Sequence, residues 1–204
     1  MKIAINTTLL PYPPSTRLRI RLAEDGMQRK ISSIVLAAGH ANCAIDWGDG
    51  TVETVTRLPP HTYAKAGEYI VRLSDDVSAL TVSNRNDTDP TLLAFASNAT
   101  LLGKIQQFCF DGCTYLQRID VRESGLTSLD RMAFRYCTSL SSELYFPKVN
   151  QLSGTATSEV FAGCTGGITK IHFAKVNEAA IKASAPYQGD PTLGTGTAVC
   201  VFDL

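Results

Sequence analysis

Hydrophobic and polar residues alternate one by one through much of the first 83 residues, the period of a half-buried β-strand. Arg17-Leu18-Arg19-Ile20-Arg21-Leu22 is the clearest case, with three arginines on one face and three aliphatics on the other. Residues 68–73 repeat the pattern, with Tyr69, Val71 and Leu73 sharing a face. Residues 31–37 and 44–47 are further strand candidates, and residues 1–10 read as an opening strand. Trp47-Gly48-Asp49-Gly50-Thr51 predicts a hairpin, because Asp-Gly between apolar runs accommodates positive φ. Short strands at turn-punctuated intervals predict an all-β sandwich. Residues 83–90 carry no aliphatic or aromatic side chain and mark a boundary. The expected division is a sandwich over 1–83 and a second unit over 84–204.

The second unit repeats. Phe110-Asp111-Gly112-Cys113-Thr114, Phe134-Arg135-Tyr136-Cys137-Thr138 and Phe161-Ala162-Gly163-Cys164-Thr165 share the pattern Phe-x-x-Cys-Thr, 24 and 27 residues apart. That spacing belongs to stacked-repeat architectures. A fainter copy starts at Phe95, with Asn98 in place of the cysteine. After each motif comes a short apolar segment: Ile119/Val121, Leu144/Phe146 and Ile168/Ile171/Phe173. Stacking predicts one internal column of Phe110, Phe134 and Phe161 and another of Cys113, Cys137 and Cys164. The apolar segments should form one parallel sheet, and a last strand at 198–202 should close the end.

Composition then limits the function. Of the 204 residues 44% are hydrophobic and 19% charged, which is enough apolar surface for a folded core. The formal net charge is zero, and both halves are nearly neutral, so no electrostatic argument favours nucleic acid. No apolar run reaches the ~20 residues of a membrane span. The N-terminus lacks the apolar centre of a secretory signal. The six cysteines include no Cys-x-x-Cys pair, and their repeat positions favour buried free thiols, with disulfides and metal ligation as alternatives.

Two families resemble the two halves. Ile45-Asp46-Trp47-Gly48-Asp49-Gly50-Thr51, followed by His61-Thr62-Tyr63 and the Gly67 turn into residues 68–73, resembles the PKD family of immunoglobulin-like sandwiches over about residues 30–83. Met132-Ala133-Phe134-Arg135-Tyr136-Cys137-Thr138-Ser139-Leu140 resembles the BspA-type leucine-rich repeats of bacterial and some protist surface proteins, over roughly 95–175. Gly167 departs from the repeat leucine, so that turn is expected to be irregular. The resemblance implies a short α/β solenoid with a parallel sheet, and adhesion or protein binding without catalysis. It also implies the cell surface or extracellular space. The N-terminus keeps cytoplasmic and virion-associated locations open.

Individual residues add little chemistry. Asp46, Asp49 and Glu53 are conceivable calcium ligands, but the spacing favours turn hydrogen bonds made by Asp49. His40, His61 and His172 are the only histidines, and no nucleophile, metalloprotease or phosphate-loop motif occurs, so no cofactor and no catalytic residue is expected. Arg17, Arg19 and Arg21, with Arg29 and Lys30 nearby, form a basic face that suits either solvent or an anionic partner. Three glycosylation sequons, at Asn6, Asn86 and Asn98, are read as unmodified. The expected working surface is the outer face of the repeat sheet: Gln117, Arg118, Asp120, Arg122, Glu143, Tyr145, Lys170 and His172. A protein or glycan ligand is expected there. The rival expectation is a structural subunit of a phage or cell-surface assembly.

Overall fold

The computed structural model describes residues 13–29, 31–83, 91–157 and 159–204. The expected strand at residues 1–10, Lys30 and the sequons at Asn6 and Asn86 lie outside the described residues. In the first half are β1 (Ser15–Leu22), β2 (Gln28–Arg29), β3 (Ser33–Leu36), β4 (Cys43–Asp46), β5 (Val52–Val55), β6 (His61–Thr62), β7 (Gly67–Ser74) and β8 (Val77–Thr81). The second half adds β9 (Leu92–Ser97), β10 (Lys104–Ile105), β11 (Arg118–Asp120), β12 (Ser128–Leu129), β13 (Ser142–Phe146), β14 (Gln151–Leu152), β15 (Ile168–Phe173) and β16 (Val199–Phe202). Two short helices, α1 (Glu178–Ala183) and α2 (Ala185–Gly189), follow β15.

The strands form a six-stranded sheet in the order β11-β9-β1-β7-β4-β5, a five-stranded sheet β14-β12-β10-β8-β3, a parallel trio β13-β15-β16 and a small pair β2-β6. The two large sheets draw strands from both sides of residues 84–90. Antiparallel pairing joins β1 to β9, and parallel pairing joins β8 to β10. Asp75, in the turn between β7 and β8, accepts hydrogen bonds from the backbone N–H groups of Thr100 and Leu101 at 3.0 and 2.8 Å. A single apolar core runs through both halves.

Local chemistry explains the first half. Leu18, Ile20 and Leu22 of β1 are buried while its arginines face outward, as the alternation predicts. At the β4–β5 hairpin Asp46 accepts from Gly48 N–H at 2.8 Å and Asp49 from Thr51 N–H at 3.0 Å. Gly48 has φ +84°, and a Cβ there would sit 2.7 Å from the Ile70 carbonyl, so only glycine fits. Buried Trp47 is held by its neighbours: Tyr63 donates its hydroxyl to the Trp47 carbonyl at 2.9 Å, and the His61 ring stacks on the indole at 4.6 Å. His61 Nε2 meets Asp49 Oδ2 at 2.7 Å. The two aspartates of the conceivable calcium site are thus engaged by turn amides and by side chains, His61 meeting Asp49 and Arg72 holding Asp46 at 3.1 Å.

In the second half the motif turns stack. The rings of Phe110, Phe134 and Phe161 lie nearly parallel at 5.0 and 5.1 Å, the spacing of neighbouring strands. Cys137 donates its thiol to the Phe110 carbonyl at 3.1 Å, and Cys164 donates to Phe134 at 3.0 Å. Each cysteine thereby ties its turn to the one before. The second residue after each phenylalanine is left-handed: Gly112, Tyr136 and Gly163 have φ of +68°, +58° and +71°. Tyr136 pays the strain of a non-glycine there, and its ring covers Gly163, where a Cβ would lie 2.4 Å from it. Gly167 has φ +96°, which only glycine adopts readily and which accounts for the missing leucine.

Two expectations need correction. The segments after the motifs do not form one parallel sheet: β11 pairs with β9, whereas β13 pairs with β15. β13 opens at Ser142 with φ +75° and a register shift against β15, which turns it away from the β11 edge. Phe95 is no faint motif turn, because it lies in β9 opposite Ile119 and so occupies a strand position. Its ring still meets Phe110 at 4.9 Å. The helices α1 and α2 had no counterpart in the hydrophobic pattern. The cysteines are all free, five of them buried and Cys200 half-buried.

Candidate functional site

The outer face of the six-stranded sheet carries its charges in transverse rows, because register places every second residue of each strand outward. One row runs Asp120, Ala96, Arg17, Arg72, Asp46 from β11 to β4. The next runs Arg118, Ala94, Arg19, Ile70. Of the eight candidate residues, Arg118 and Asp120 lie on this face in β11, with Gln117 just before the strand and Arg122 just after it. Arg122 grips Asp120 with two hydrogen bonds of 3.0 and 2.8 Å, which lowers the Asp120 pKa. Farther along, Glu68 holds Arg21 and Arg19 together, one carboxylate oxygen to each guanidinium. Those two cations, Arg21 first, hold its pKa below the usual value.

The other four candidates lie on the parallel trio. Glu143 and Tyr145 are on β13, and Lys170 and His172 are opposite them on β15. Lys170 Nζ meets Glu143 at 2.8 Å, and the Tyr145 hydroxyl donates to the same carboxylate at 2.7 Å. Lys170 first, then Tyr145, pull the Glu143 pKa down to about 2. His172 is only 5% exposed, and its ring stacks on Tyr145 at 4.4 Å. Its nitrogens meet Glu143 at 3.2 Å and Asp203 at 2.8 Å. Buried between two carboxylates, His172 positions Tyr145 and Glu143 and presents little surface of its own.

The two groups of four are neighbours across the break between β11 and β13, where the Tyr145 hydroxyl acts electrostatically on Arg122. The structure divides the eight between two sheets, with Asp120–Arg122 ion-paired in one and Glu143–Lys170 in the other. Sequence reasoning missed Asp203, 31 residues from the histidine it holds, and treated Arg17 only as part of a basic stripe. The period-2 pattern places Arg17 outward but carries no information about its partners.

Burial raises the thiol pKa of Cys109 and Cys137, lifts Cys43 to about 11 and Cys200 to about 12, so none of these four is a thiolate at neutral pH. Among the described residues no group of three or more His, Cys, Asp or Glu side chains could hold a metal ion. No described helix is long and apolar enough to cross a membrane.

Comparison with known families gives one match. Residues 93–185, just under half of the chain, match the BspA type leucine rich repeat region in six copies. The Phe-x-x-Cys-Thr motif marks only three of these turns. No curated protein and no solved structure matches the chain.

Proposed function

We propose that this protein is a non-catalytic binding module that recognises a protein or glycan through the ion-paired outer face formed by β11, β13 and β15. The observation that carries the reading is the six-copy BspA-type repeat match over residues 93–185, since such repeats act as protein-interaction and adhesion modules. Repeat arrays bind along extended faces of this kind. In this reading residues 1–83 are a PKD-like sandwich whose sheets continue into a short solenoid over 84–204. The protein then works at a cell surface or in the extracellular space, without cofactor, nucleic acid or membrane insertion.

The test is a binding survey of the full chain on immobilised extracellular-matrix proteins and on a glycan array. It is repeated with the double variant Arg118→Glu/Lys170→Glu. We expect at least one saturable ligand, and about a tenfold or greater loss of affinity in the variant, the scale of two lost charge-assisted contacts. Equal binding by the variant refutes the assigned face. Turnover of ester, peptide or glycoside substrates that is lost in His172→Ala refutes the non-catalytic reading.

A second reading has its own observation. β16 is the last strand of the parallel trio, with one edge unpaired among the described residues and Val199 61% exposed. Such an edge is a template for another strand, which suits a subunit of a phage or surface assembly. Light scattering after size exclusion separates the readings, because a stable monomer counts against assembly.

A further inference from the structure

Arg17, like Arg118 on the same face, forms no ion pair among the described residues, but it is the more enclosed of the two. Its Nε is buried and has no hydrogen-bond partner among the described residues. Three carboxylates of the face are committed elsewhere, and Glu123 stands at the rim of the cleft beside it. Asp120 is gripped by Arg122, Asp46 by Arg72, and Glu68 by Arg19 and Arg21. The Ser97 hydroxyl is shared between the Thr16 hydroxyl at 3.0 Å and Ala99 N–H at 3.1 Å. Arg17 as a whole is partly exposed and lines a cleft, so the rest of its guanidinium is open to a ligand that its neighbours do not supply.

The shape around Arg17 suits such a ligand. A cleft of about 210 Å³ is lined by Arg17, Ala96, Ser97, Asp120, Arg122 and Glu123. Its floor is β9, where Ala94 and Ala96 face outward with almost no side chain. The walls are β1 and β11, two strand spacings or roughly 10 Å apart. Exposed Arg118 lies on β11 opposite Ala94, one row along from the cleft, and forms no ion pair among the described residues. Arg17 and Arg118 thus lie diagonally on either side of β9.

We propose that this cleft receives a single carboxylate side chain, an aspartate or glutamate, from a protein partner, with Arg17 as its bidentate anchor. The planar fork of a guanidinium matches a carboxylate in geometry and charge. Glu123 at the rim selects the class of partner. It repels a polyanion, such as a polyuronate or sulfated glycan, but accepts from a basic side chain or backbone N–H beside an isolated acid. The inference rests on the outer face being a binding surface, and it adds the chemistry of the partner.

The experiment is a nuclear magnetic resonance titration of the full chain that reads the Arg17 Nε–H signal and the amides of Ala94 and Ala96. The probe is a blocked pentapeptide with a central glutamate between alanines and a lysine at each end. The control replaces the glutamate with glutamine. The glutamate peptide should move all three signals, and the glutamine peptide should bind about tenfold more weakly. Arg17→Gln should abolish the response at Ala94 and Ala96. Arg17→Lys, which keeps the charge and the packed stem, should weaken it severalfold because the fork is lost.

Equal binding of the two peptides, or unchanged affinity in Arg17→Lys, overturns the inference. So does an equal response to sodium sulfate, which would mean an adventitious ion only. A stronger response to oligogalacturonate would assign the cleft to an acidic glycan and overturn the protein partner. If the peptide fails while Arg118→Glu/Lys170→Glu still abolishes a ligand found in the survey, only this inference falls. If the survey finds no ligand while the peptide binds at Arg17, the broader reading falls and the cleft stands.

Discussion

Phe134→Ala is the sharpest perturbation of the stacked turns. The ring is fully buried between Phe110 at 5.0 Å and Phe161 at 5.1 Å. Truncating a buried phenylalanine costs about 3–5 kcal/mol. Two stacked neighbours place this case in the upper part of that range, since each aromatic pair adds about 0.5–1.5 kcal/mol beyond its area. A loss of about 4 kcal/mol is a large share of the roughly 5–15 kcal/mol that stabilises a domain. With a urea slope of about 2–3 kcal/mol/M, the midpoint should fall by about 1.5 M. In a thermal melt the same loss lowers Tm by about 8–16 °C.

The probe gives this variant a second use. Trp47 is the only tryptophan and lies in the first half, buried, far along the chain from Phe134. β1–β9 and β8–β10 pairing makes the two halves share their sheets, so unfolding should be one cooperative event. Tryptophan fluorescence and far-ultraviolet circular dichroism should therefore shift together in Phe134→Ala. If the Trp47 transition keeps its wild-type midpoint while the dichroism melts earlier, the halves unfold independently and the shared-core argument is wrong.

Gly125→Ala should destabilise by about 3 kcal/mol or more, because its Cβ would lie 1.9 Å from the Thr100 carbonyl oxygen and backbone must move; chemical denaturation measures it. Glu143, whose pKa is about 2 in the folded protein against 4.5 unperturbed, contributes stability that is complete above about pH 4.5 and is lost as pH falls toward 2. Glu143→Gln should flatten that acid limb, and a carbon-detected titration of the Glu143 carboxyl should show no inflection above pH 4. Thiol titration in denaturant should count six free thiols, whereas the native protein at pH 8 should react slowly and first at half-buried Cys200; fewer than six in denaturant points to a disulfide.

Local periodicity carried much of the architecture. The alternation through residues 17–22 is enough to place Leu18, Ile20 and Leu22 inside, because side-chain direction in a strand depends only on parity. The Phe-x-x-Cys-Thr spacing likewise foretold the ring column, since repeats that cannot bury their own apolar face must stack. What escaped was set by long-range register. Nothing local to Phe95 says that it will lie beside Ile119, and nothing near residue 84 says that β9 will continue the first sheet. α1 and α2 span six and five residues, too short for a helical period to stand out. In the candidate surface the outward positions were legible, but their pairing was not. His172 finds Asp203, and Arg17 Nε finds no acceptor among the described residues, for reasons that exist only once the sheets have formed.

β1 lies between β7 and β9, and its Thr16 pairs with Ser97, 81 residues later. A ribosome adding about 5–20 residues per second makes the second residue about 4–16 s after the first. Throughout that interval β1 has at least one unpaired edge beside an apolar stripe, which is the situation in which nascent chains join wrongly to one another. Arg17, Arg19 and Arg21 then act as gatekeepers during synthesis, holding neighbouring chains apart by like charge until β9 arrives to cover the edge.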